Sequence, residues 1–170
     1  NTTIANLQTF NSSDDGAEFF GGEFNARNFA IIGAQDDSLD VDTGANINLD
    51  NMVVVQRGAA GDSAIELDSP NQRTPAFTPA TAFPLTRLQV NNFTFVHNST
   101  ATAASNGAVI RARGSAQLSL TNGVINRRDG DASFCFRFDE NATLNALIGF
   151  NSVVCDGGTD RRVRTTSSSE

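Results

Sequence analysis

The sequence predicts an all-β fold, a right-handed parallel β-helix of about six coils. Three observations predict it: an Asn that recurs at coil-length intervals, a recurring apolar–polar–apolar triplet, and few helix-forming residues. The chain has 13 Phe but no Trp and no Tyr, and Asn, Thr, Ser and Gly are abundant. Such a composition disfavours α-helices, and repeats of roughly 20–50 residues are typical of solenoids.

The recurring Asn organises the whole chain. The segments TTIANLQTF, FNARNFAII, INLDNMVVV, LQVNNFTFV, LSLTNGVIN and LIGFNSVVC align with one Asn at the same point in each. These residues are Asn6, Asn28, Asn51, Asn92, Asn122 and Asn151, at intervals of 22, 23, 41, 30 and 29 residues. Apolar residues precede most of them at alternating positions, which indicates a half-buried strand that ends at a bend. We expect an Asn ladder whose stacked amides bond to one another and satisfy polar groups that would otherwise be buried unpaired.

A second strand follows in each of the first five coils. Its triplets are Ala17-Glu18-Phe19, Leu39-Asp40-Val41, Ile65-Glu66-Leu67, Ile110-Arg111-Ala112 and Phe136-Arg137-Phe138. The alternation is that of a half-buried strand, and two strands with variable turns make one solenoid coil. A two-sheet sandwich would show hairpin turns instead, without a bend residue repeated at coil spacing.

One domain accounts for the chain. We predict a parallel β-helix over residues 1–158 and an irregular C-terminal tail over 159–170. The 41-residue interval contains a side loop at 69–84, which holds all four prolines. Loops of this kind often carry function, but Phe77 and Phe83 favour a covering role over exposed apolar surface.

Charge and hydropathy exclude two classes of partner. Residues 1–70 hold twelve acidic side chains against Arg27 and Arg57, and residues 71–170 hold seven against ten arginines. An acidic half repels phosphates, so nucleic acid is excluded as a partner. No apolar run is long enough for a membrane span. The arginines at 111, 113, 127, 128 and 137 are expected to be solvated or to pair with nearby acids.

Residues 11–44 carry a resemblance to a known group. The stretch NSSDDGAEFFGGEFNARNFAIIGAQDDSLDVDTG resembles bacterial right-handed β-helix repeat proteins, which have a DDG-x-E-[FW]-FGG coil followed by a DDS-[LF]-D-x-[DT]-x-G coil. The similarity covers about residues 5–158 and is weakest in the last coil. It implies a β-helix that is secreted or at the cell surface of Gram-negative bacteria. The resemblance implies no activity.

The acidic residues form the best candidate site. Glu18, Asp40 and Glu66 stack on the second strand, and Asp42 and Asp68 lie two positions further along. Carboxylates at coil spacing repel one another unless a cation or an Arg neutralises them, and oxygen-rich clusters are what Ca²⁺ prefers. The sequence therefore indicates a calcium site as the one candidate cofactor site.

Two alternatives to that calcium site remain open. The acids could form a solvated face. The turn residues Asp14, Asp36 and Asp62 are better explained as Asx-turns that accept backbone hydrogen bonds.

The two cysteines lie in successive coils. A disulfide between Cys135 and Cys155 is permitted in an exported protein. Two separate thiols are the alternative, because the distance between the Cα atoms decides whether a bond can form.

Two enzyme classes are alternatives to a binding protein. A lyase could combine carboxylate-bound Ca²⁺ with Arg111 or Arg137 as base. A hydrolase could use Asp37 and Asp40, since DDSLD is similar to the double-Asp motif of pectin-degrading hydrolases. The His motif that accompanies it there is missing, because the single His, His97, is expected at a strand end on the surface. The sequence assigns no catalytic residue.

The sequence therefore favours a non-catalytic extracellular or cell-surface β-solenoid with a structural or adhesive role. Copies are expected to stack end to end into fibres, because the acidic start of one copy would meet the more basic end of the next. Polysaccharide is the other expected partner. The alternative function is a Ca-dependent polysaccharide-binding or polysaccharide-degrading, lyase-like β-helix.

Overall fold

The computed structural model describes residues 2–58, 61–69, 84–98, 107–128, 130–131, 133–139, 147–158 and 163–165. All regular secondary structure in these ranges is β-strand. Within them there is no helix that could span a bilayer.

The described strands form two parallel sheets. Sheet A contains β1 (Thr2–Ala5), β2 (Gln8–Phe10), β4 (Glu23–Ile32), β6 (Asn46–Val55), β8 (Arg87–His97), β10 (Gln117–Arg127) and β12 (Ile148–Gly157). Sheet B contains β3 (Ala17–Phe20), β5 (Leu39–Asp42), β7 (Ile65–Leu67), β9 (Ala108–Arg113), β11 (Phe134–Asp139) and β13 (Val163–Thr165). Strands in each sheet follow chain order, and β1 with β2 makes the first long strand. Each coil contributes one long and one short strand, so the predicted right-handed parallel β-helix of six coils is confirmed.

The register of sheet B is the one that the triplets predict. Glu18 pairs with Asp40, Asp40 with Glu66, and Glu66 with Arg111. Arg111 in turn pairs with Arg137. Apolar residues on either side of this row face inward and are buried, as in Leu39 and Val41. The apolar–polar–apolar triplet therefore locates the second strand of each of these coils.

Asn28, Asn51, Asn92 and Asn122 lie inside their strands rather than at the ends, and Asn6 lies in the bend between β1 and β2. The φ angles of Asn6, Asn28, Asn51, Asn92 and Asn122 are 59°, 58°, 63°, 57° and 57°. Asn tolerates this left-handed conformation better than most residues because its short polar side chain bonds locally. The left-handed residue bends the strand and shifts the alternation by one position, so Arg27 and Asn28 are both exposed and Phe29 is buried. The expectation of buried amides is therefore wrong, since the ladder lies on the outer surface.

The exposed ladder is hydrogen-bonded between coils. Asn28 Nδ2 donates to Asn6 Oδ1 at 2.9 Å, and Asn51 Nδ2 donates to Asn28 Oδ1 at 3.1 Å. Asn122 Nδ2 donates to Asn92 Oδ1 at 2.6 Å. Asn92 Nδ2 donates instead to Asp50 Oδ1 at 2.7 Å, so a carboxylate replaces one amide acceptor in the series.

The sixth coil departs from the predicted register by one residue. Leu118 pairs with Ile148 and Thr121 with Asn151, so Ser152, with φ 55°, occupies the bend instead of Asn151. The assignment of Asn151 to the ladder is wrong. The physical reason lies in the interior: the observed register turns Cys155 inward, whereas the predicted one would have turned it outward.

A disulfide joins Cys135 in β11 to Cys155 in β12. The two Cα atoms are 6.3 Å apart, and Cys135 is fully buried. The bond therefore crosses the interior and connects sheet B of the fifth coil to sheet A of the sixth.

Aliphatic and aromatic columns fill the interior between the sheets. Fully buried members include Ile31, Leu39, Ile47, Leu49, Ile65, Leu67, Leu88, Phe95 and Ile110. Each such side chain contributes roughly 1.5–3 kcal/mol through burial. In one column the Phe93 ring occupies the space beside Gly123, where any Cβ would collide with it.

The predicted side loop and tail are described only at their edges. At the base of the loop, the Thr86 backbone N–H donates to Ser69 Oγ at 3.0 Å, and Thr86 Oγ1 donates to the Asp68 carbonyl at 2.6 Å. Residues 70–83, including Phe77 and Phe83, lie outside the described residues. In the tail, Val163–Thr165 forms β13 against β11, so the expectation of an irregular tail is wrong for these three residues. The rest of 159–170 lies outside the described part.

Candidate functional site

One outward-facing row of sheet B consists of six charged residues, one from each coil, which the strand register aligns. The row runs Glu18, Asp40, Glu66, Arg111, Arg137 and Arg164, from coil one to coil six. Adjacent strands are about 4.8 Å apart, so each of these charges acts directly on its neighbours. Acids occupy the first three positions and arginines the last three.

Arginines neutralise the acids of coil three. Arg113 Nη2 forms an ion pair with Glu66 and lies 3.5 Å from Asp68 Oδ2. Arg111 Nη1 lies 3.3 Å from Glu66 Oε2. Glu66, Asp68 and Arg113 are buried. These two acids were predicted as calcium ligands, but the structure places them in an ion-pair network.

The same network extends into coil five. Arg111 Nε lies 3.0 Å from Asp139 Oδ2, and Arg137 Nε lies 2.7 Å from the same oxygen. Three arginines thus face three carboxylates. We call Glu66, Asp68, Arg111, Arg113, Arg137 and Asp139 the ion-paired region. The expectation that these arginines partner nearby acids is correct for Arg111, Arg113 and Arg137.

Among the residues that the structure describes, the acids of coils one and two form no ion pair with an arginine. Carboxylate oxygens of Asp15, Glu18 and Asp40 lie within 4.8 Å of one another. We call these three residues the acidic cluster. Asp40 Oδ1 is buried and has no hydrogen-bond partner in the described part of the chain. Burial raises the pKa of Asp40 to about 7, helped by the negative charges of Asp15, Asp42 and Glu18 and only partly offset by Arg113.

Asp42 borders the cluster without joining it. It pairs with Phe20 at the next outward position, and the Thr43 backbone N–H donates to its side chain. Its charge helps to raise the pKa of Glu18, after burial and the charges of Asp15 and Asp14. Of the five predicted calcium ligands, the structure therefore brings together only Glu18 and Asp40, and adds Asp15.

Asp15 and Asp37 link successive turns. Asp15 Oδ1 accepts the Asp37 backbone N–H at 2.9 Å, and Asp37 Oδ1 accepts the Ser63 backbone N–H at 2.7 Å. The sequence predicts Asx-turns, in which the side chain accepts a local backbone hydrogen bond, at Asp14, Asp36 and Asp62. Those three instead stack through backbone bonds, as the Asp62 N–H does with the Asp36 carbonyl. The sequence feature that could have identified these residues is a pair of adjacent aspartates before a small residue. The second aspartate of each pair is the one that links the coils.

Asp37 does not provide a free carboxylate for hydrolysis. It is buried, and burial raises its pKa to about 7 even though the bond from Ser63 lowers it. One of its oxygens is committed to the next turn. The pair of working carboxylates proposed for Asp37 and Asp40 is therefore not available at the surface.

His97 is an interior residue rather than a surface one. Its ring is 1% exposed, with Nδ1 2.5 Å from Asp131 Oδ2 and Nε2 3.1 Å from the Asp62 carbonyl oxygen. Burial acts to raise the pKa of Asp131, but hydrogen bonds from His97 and Ser133 outweigh it and leave that pKa lowered. The side chain fastens two turns together. A lone His at a strand end gave no signal of this role.

Arg127 is also buried, so the expectation that it is solvated is wrong. Its Nη1 donates to the Ser133 carbonyl and its Nη2 to the Gly157 carbonyl, both at 2.6 Å. The guanidinium therefore satisfies backbone acceptors of two successive coils.

A family comparison matches this architecture. The model of a pectate-lyase-like β-helix domain matches residues 1–165. The chain belongs to this family. No curated protein and no solved structure matches the chain. Within this β-helix domain, the acidic cluster is suited to holding a cation, whereas each arginine of the ion-paired region is held by a carboxylate.

Proposed function

We propose that this β-helix domain binds acidic polysaccharide through Ca²⁺ held at the acidic cluster, without cleaving it. The observation that carries the proposal is the convergence of the Asp15, Glu18 and Asp40 carboxylates within 4.8 Å. Among the described residues, no arginine forms an ion pair with any of the three. Only Arg113 lowers the pKa of Asp40, and it does so least of the contributing groups.

The chemistry of calcium fits this arrangement. Ca²⁺ takes about six to eight oxygen ligands, often from carboxylates and water. Three protein carboxylates would leave coordination positions for ligand oxygens. A polysaccharide that carries carboxylates could therefore be bridged to the protein through the cation, because direct contact with the acidic cluster would be repulsive.

The ion-paired region favours binding over cleavage. A lyase needs a base that can remove a proton from the sugar, and the proposed bases were Arg111 and Arg137. Both guanidinium groups donate to Asp139, and Arg111 also contacts Glu66. Both side chains are thus held by carboxylates of the protein rather than directed at a bound sugar, which favours binding without cleavage.

An extracellular location belongs to the same proposal. The disulfide between Cys135 and Cys155 supports it, since such bonds persist in oxidising compartments. The bacterial cell surface is the location that the resemblance of residues 11–44 implies.

Calcium titration and pectate retention together test the proposal. We expect the chain to bind Ca²⁺ in calorimetry and to be retained on immobilised pectate with Ca²⁺ but not with EDTA. Asp40→Asn should weaken both, whereas Asp156→Asn, an exposed acid of the sixth coil, should not. No unsaturated product should appear. Pectate retention that persists in EDTA, or cleavage of pectate, would contradict it.

End-to-end association in a structural role is a second candidate function. It is supported by the charged row of sheet B, which has Glu18 and Asp40 at one end and Arg137 and Arg164 at the other. Head-to-tail contact would place opposite charges together and would propagate. Sedimentation across protein and salt concentrations tests it: assemblies should shrink as salt rises, and a monomer under all conditions would exclude this function.

A further inference from the structure

A recess on the outer face of sheet A is a candidate site of a different kind. Its volume is about 360 Å³, and its lining includes Arg87, Gln89, Gln117, Ser119, Leu147 and Gly149. The acidic cluster lies on sheet B, so the two sites use different sheets. None of the described residues that line the recess is acidic.

The recess arises where a row of outward-facing residues reaches a glycine, which has no side chain. Gln89 pairs with Ser119, and Ser119 pairs with Gly149 in the sixth coil. A Cβ at Gly149 would meet only Ser119 Oγ, at 3.9 Å, so the space beside it is open. Leu147 is 67% exposed and gives the recess an apolar wall.

Hydrogen bonding makes the recess rich in donors. Arg87 Nε and Nη2 both donate to Gln117 Oε1, at 2.9 and 2.7 Å. This pair orients the guanidinium and occupies the acceptor oxygen of Gln117. The Gln117 amide nitrogen and the remaining guanidinium N–H groups are left as donors.

Arg87 differs from the arginines of the ion-paired region in its charge balance. Arg111, Arg113 and Arg137 each contact a carboxylate. Arg87 has no carboxylate partner among the described residues, and its fixed neighbour is a neutral amide. A planar guanidinium with free N–H groups is matched to the two oxygens of a carboxylate.

We propose that this recess binds the carboxylate of a small organic acid or of an acidic sugar unit, with the carbon skeleton against Leu147. The binding requires no metal. It goes beyond calcium-dependent binding at the acidic cluster, and either site can be present without the other.

NMR titration of the full chain in EDTA tests the site, because EDTA removes any contribution from a cation. Glucuronate and acetate should shift the backbone signals of Arg87, Gln117 and Leu147, whereas glucose should leave them unchanged. Glucuronate should bind more tightly than acetate because it also contacts the apolar wall. Equal shifts with glucose, or none with glucuronate, would overturn the proposal.

Variants separate the effect of the Arg87 guanidinium on binding from the effect of the overall charge of the protein. Arg87→Gln should weaken glucuronate binding by at least about 10-fold, because a charge-assisted bidentate contact is lost. Arg87→Lys should be intermediate, since it keeps the charge but loses the fork. Arg57→Gln removes an exposed arginine elsewhere and should have no effect. An equal loss in Arg57→Gln would mean that long-range charge explains the binding.

Discussion

The acidic cluster and the ion-paired region occupy the same face of the same sheet, yet their chemistry is opposite. In the cluster, Asp40 faces Glu18 and has a raised pKa of about 7. Two coils further, Arg111 and Arg137 lie in the same outward row and hold Asp139 between them. In a parallel β-helix, the residue one coil away decides what a carboxylate can do. An acidic residue of this face is therefore a candidate ligand only where this neighbour is also acidic.

The largest expected effect comes from breaking the ion-paired region. Arg113→Gln leaves Glu66 and Asp68 buried beside fewer counter-charges. We expect the free energy of unfolding to fall by about 3–5 kcal/mol, as for other buried pairs that lose one partner. Urea unfolding measures this loss.

The matched control for that variant is Arg128→Gln. Arg128 is exposed, so its loss should change the free energy of unfolding by no more than about 0.5 kcal/mol. Equal effects of the two variants would show that the buried ion pairs do not stabilise the fold.

The raised pKa values of Asp37 and Asp40 should make the stability of the chain depend on pH. The folded pKa of Asp40 and of Asp37 is about 7, against an ordinary value of 3.8. The folded chain therefore binds more protons than the unfolded chain between these values, so stability falls as the pH rises from about 4 to about 7 and then levels off. The melting temperature without Ca²⁺ should be higher at pH 5 than at pH 8.

Two additions sharpen the pH experiment. Asp40→Asn should reduce the slope, because it removes one of the two shifted groups. Saturating Ca²⁺ should raise the melting temperature at pH 8 more than at pH 5, since the ion competes with protons. A melting temperature that rises between pH 5 and pH 7 without Ca²⁺ would contradict the raised pKa values.

Converting the acidic cluster into an ion-paired site should change the free energy of unfolding less than Arg113→Gln does, because Glu18 is exposed. Glu18→Arg places a cation beside Asp40 in the outward row. We expect weaker pH dependence and loss of Ca²⁺ binding. Glu23→Arg makes the same charge change on sheet A and should retain both properties. Retained Ca²⁺ binding in Glu18→Arg would show that the ion is held elsewhere.

The smallest expected effect concerns the Asn ladder, which lies on sheet A and spans the coils that carry both regions. Asn28→Leu and Asn122→Leu should each lower the free energy of unfolding by about 1–2 kcal/mol, the cost of a left-handed conformation in an ordinary residue. Asn28→Gly keeps the backbone conformation accessible and should cost less. Unequal losses at Asn28 and Asn122 would mean that coil stability itself differs between the two regions.

The sequence predicted the fold because its two repeats report directly on strand pairing. Asn28 and Asn51 mark the bend of two successive coils, and the triplets around Asp40 and Glu66 locate the second strand. What failed was side-chain direction: a left-handed Asn reverses the alternation, which no count of apolar positions reveals. The sixth coil was misaligned because Asn151 was matched by residue type, while the inward position of Cys155 decides the register.

The candidate site was only partly predictable for a similar reason. Glu18 and Asp40 were identified from their row, but the capture of Glu66 by Arg113 depends on a residue two positions outside that row. His97 and Arg127 are buried against bonded partners that lie 34 and 6 residues away from them in the sequence. Charges and spacing along the chain do not report such contacts.

The left-handed Asn has a consequence for how such a chain can lengthen. Asn6 and Asn28 are 22 residues apart, and Asn28 and Asn51 are 23 apart, so each interval begins and ends at the same left-handed Asn bend. A genetic duplication of one interval would therefore insert a whole coil whose upper and lower faces already match its neighbours. Unequal recombination between the gene segments that encode the first coils would therefore produce longer and shorter variants of the chain. The disulfide ties the last two coils into a unit that such exchanges would have to preserve.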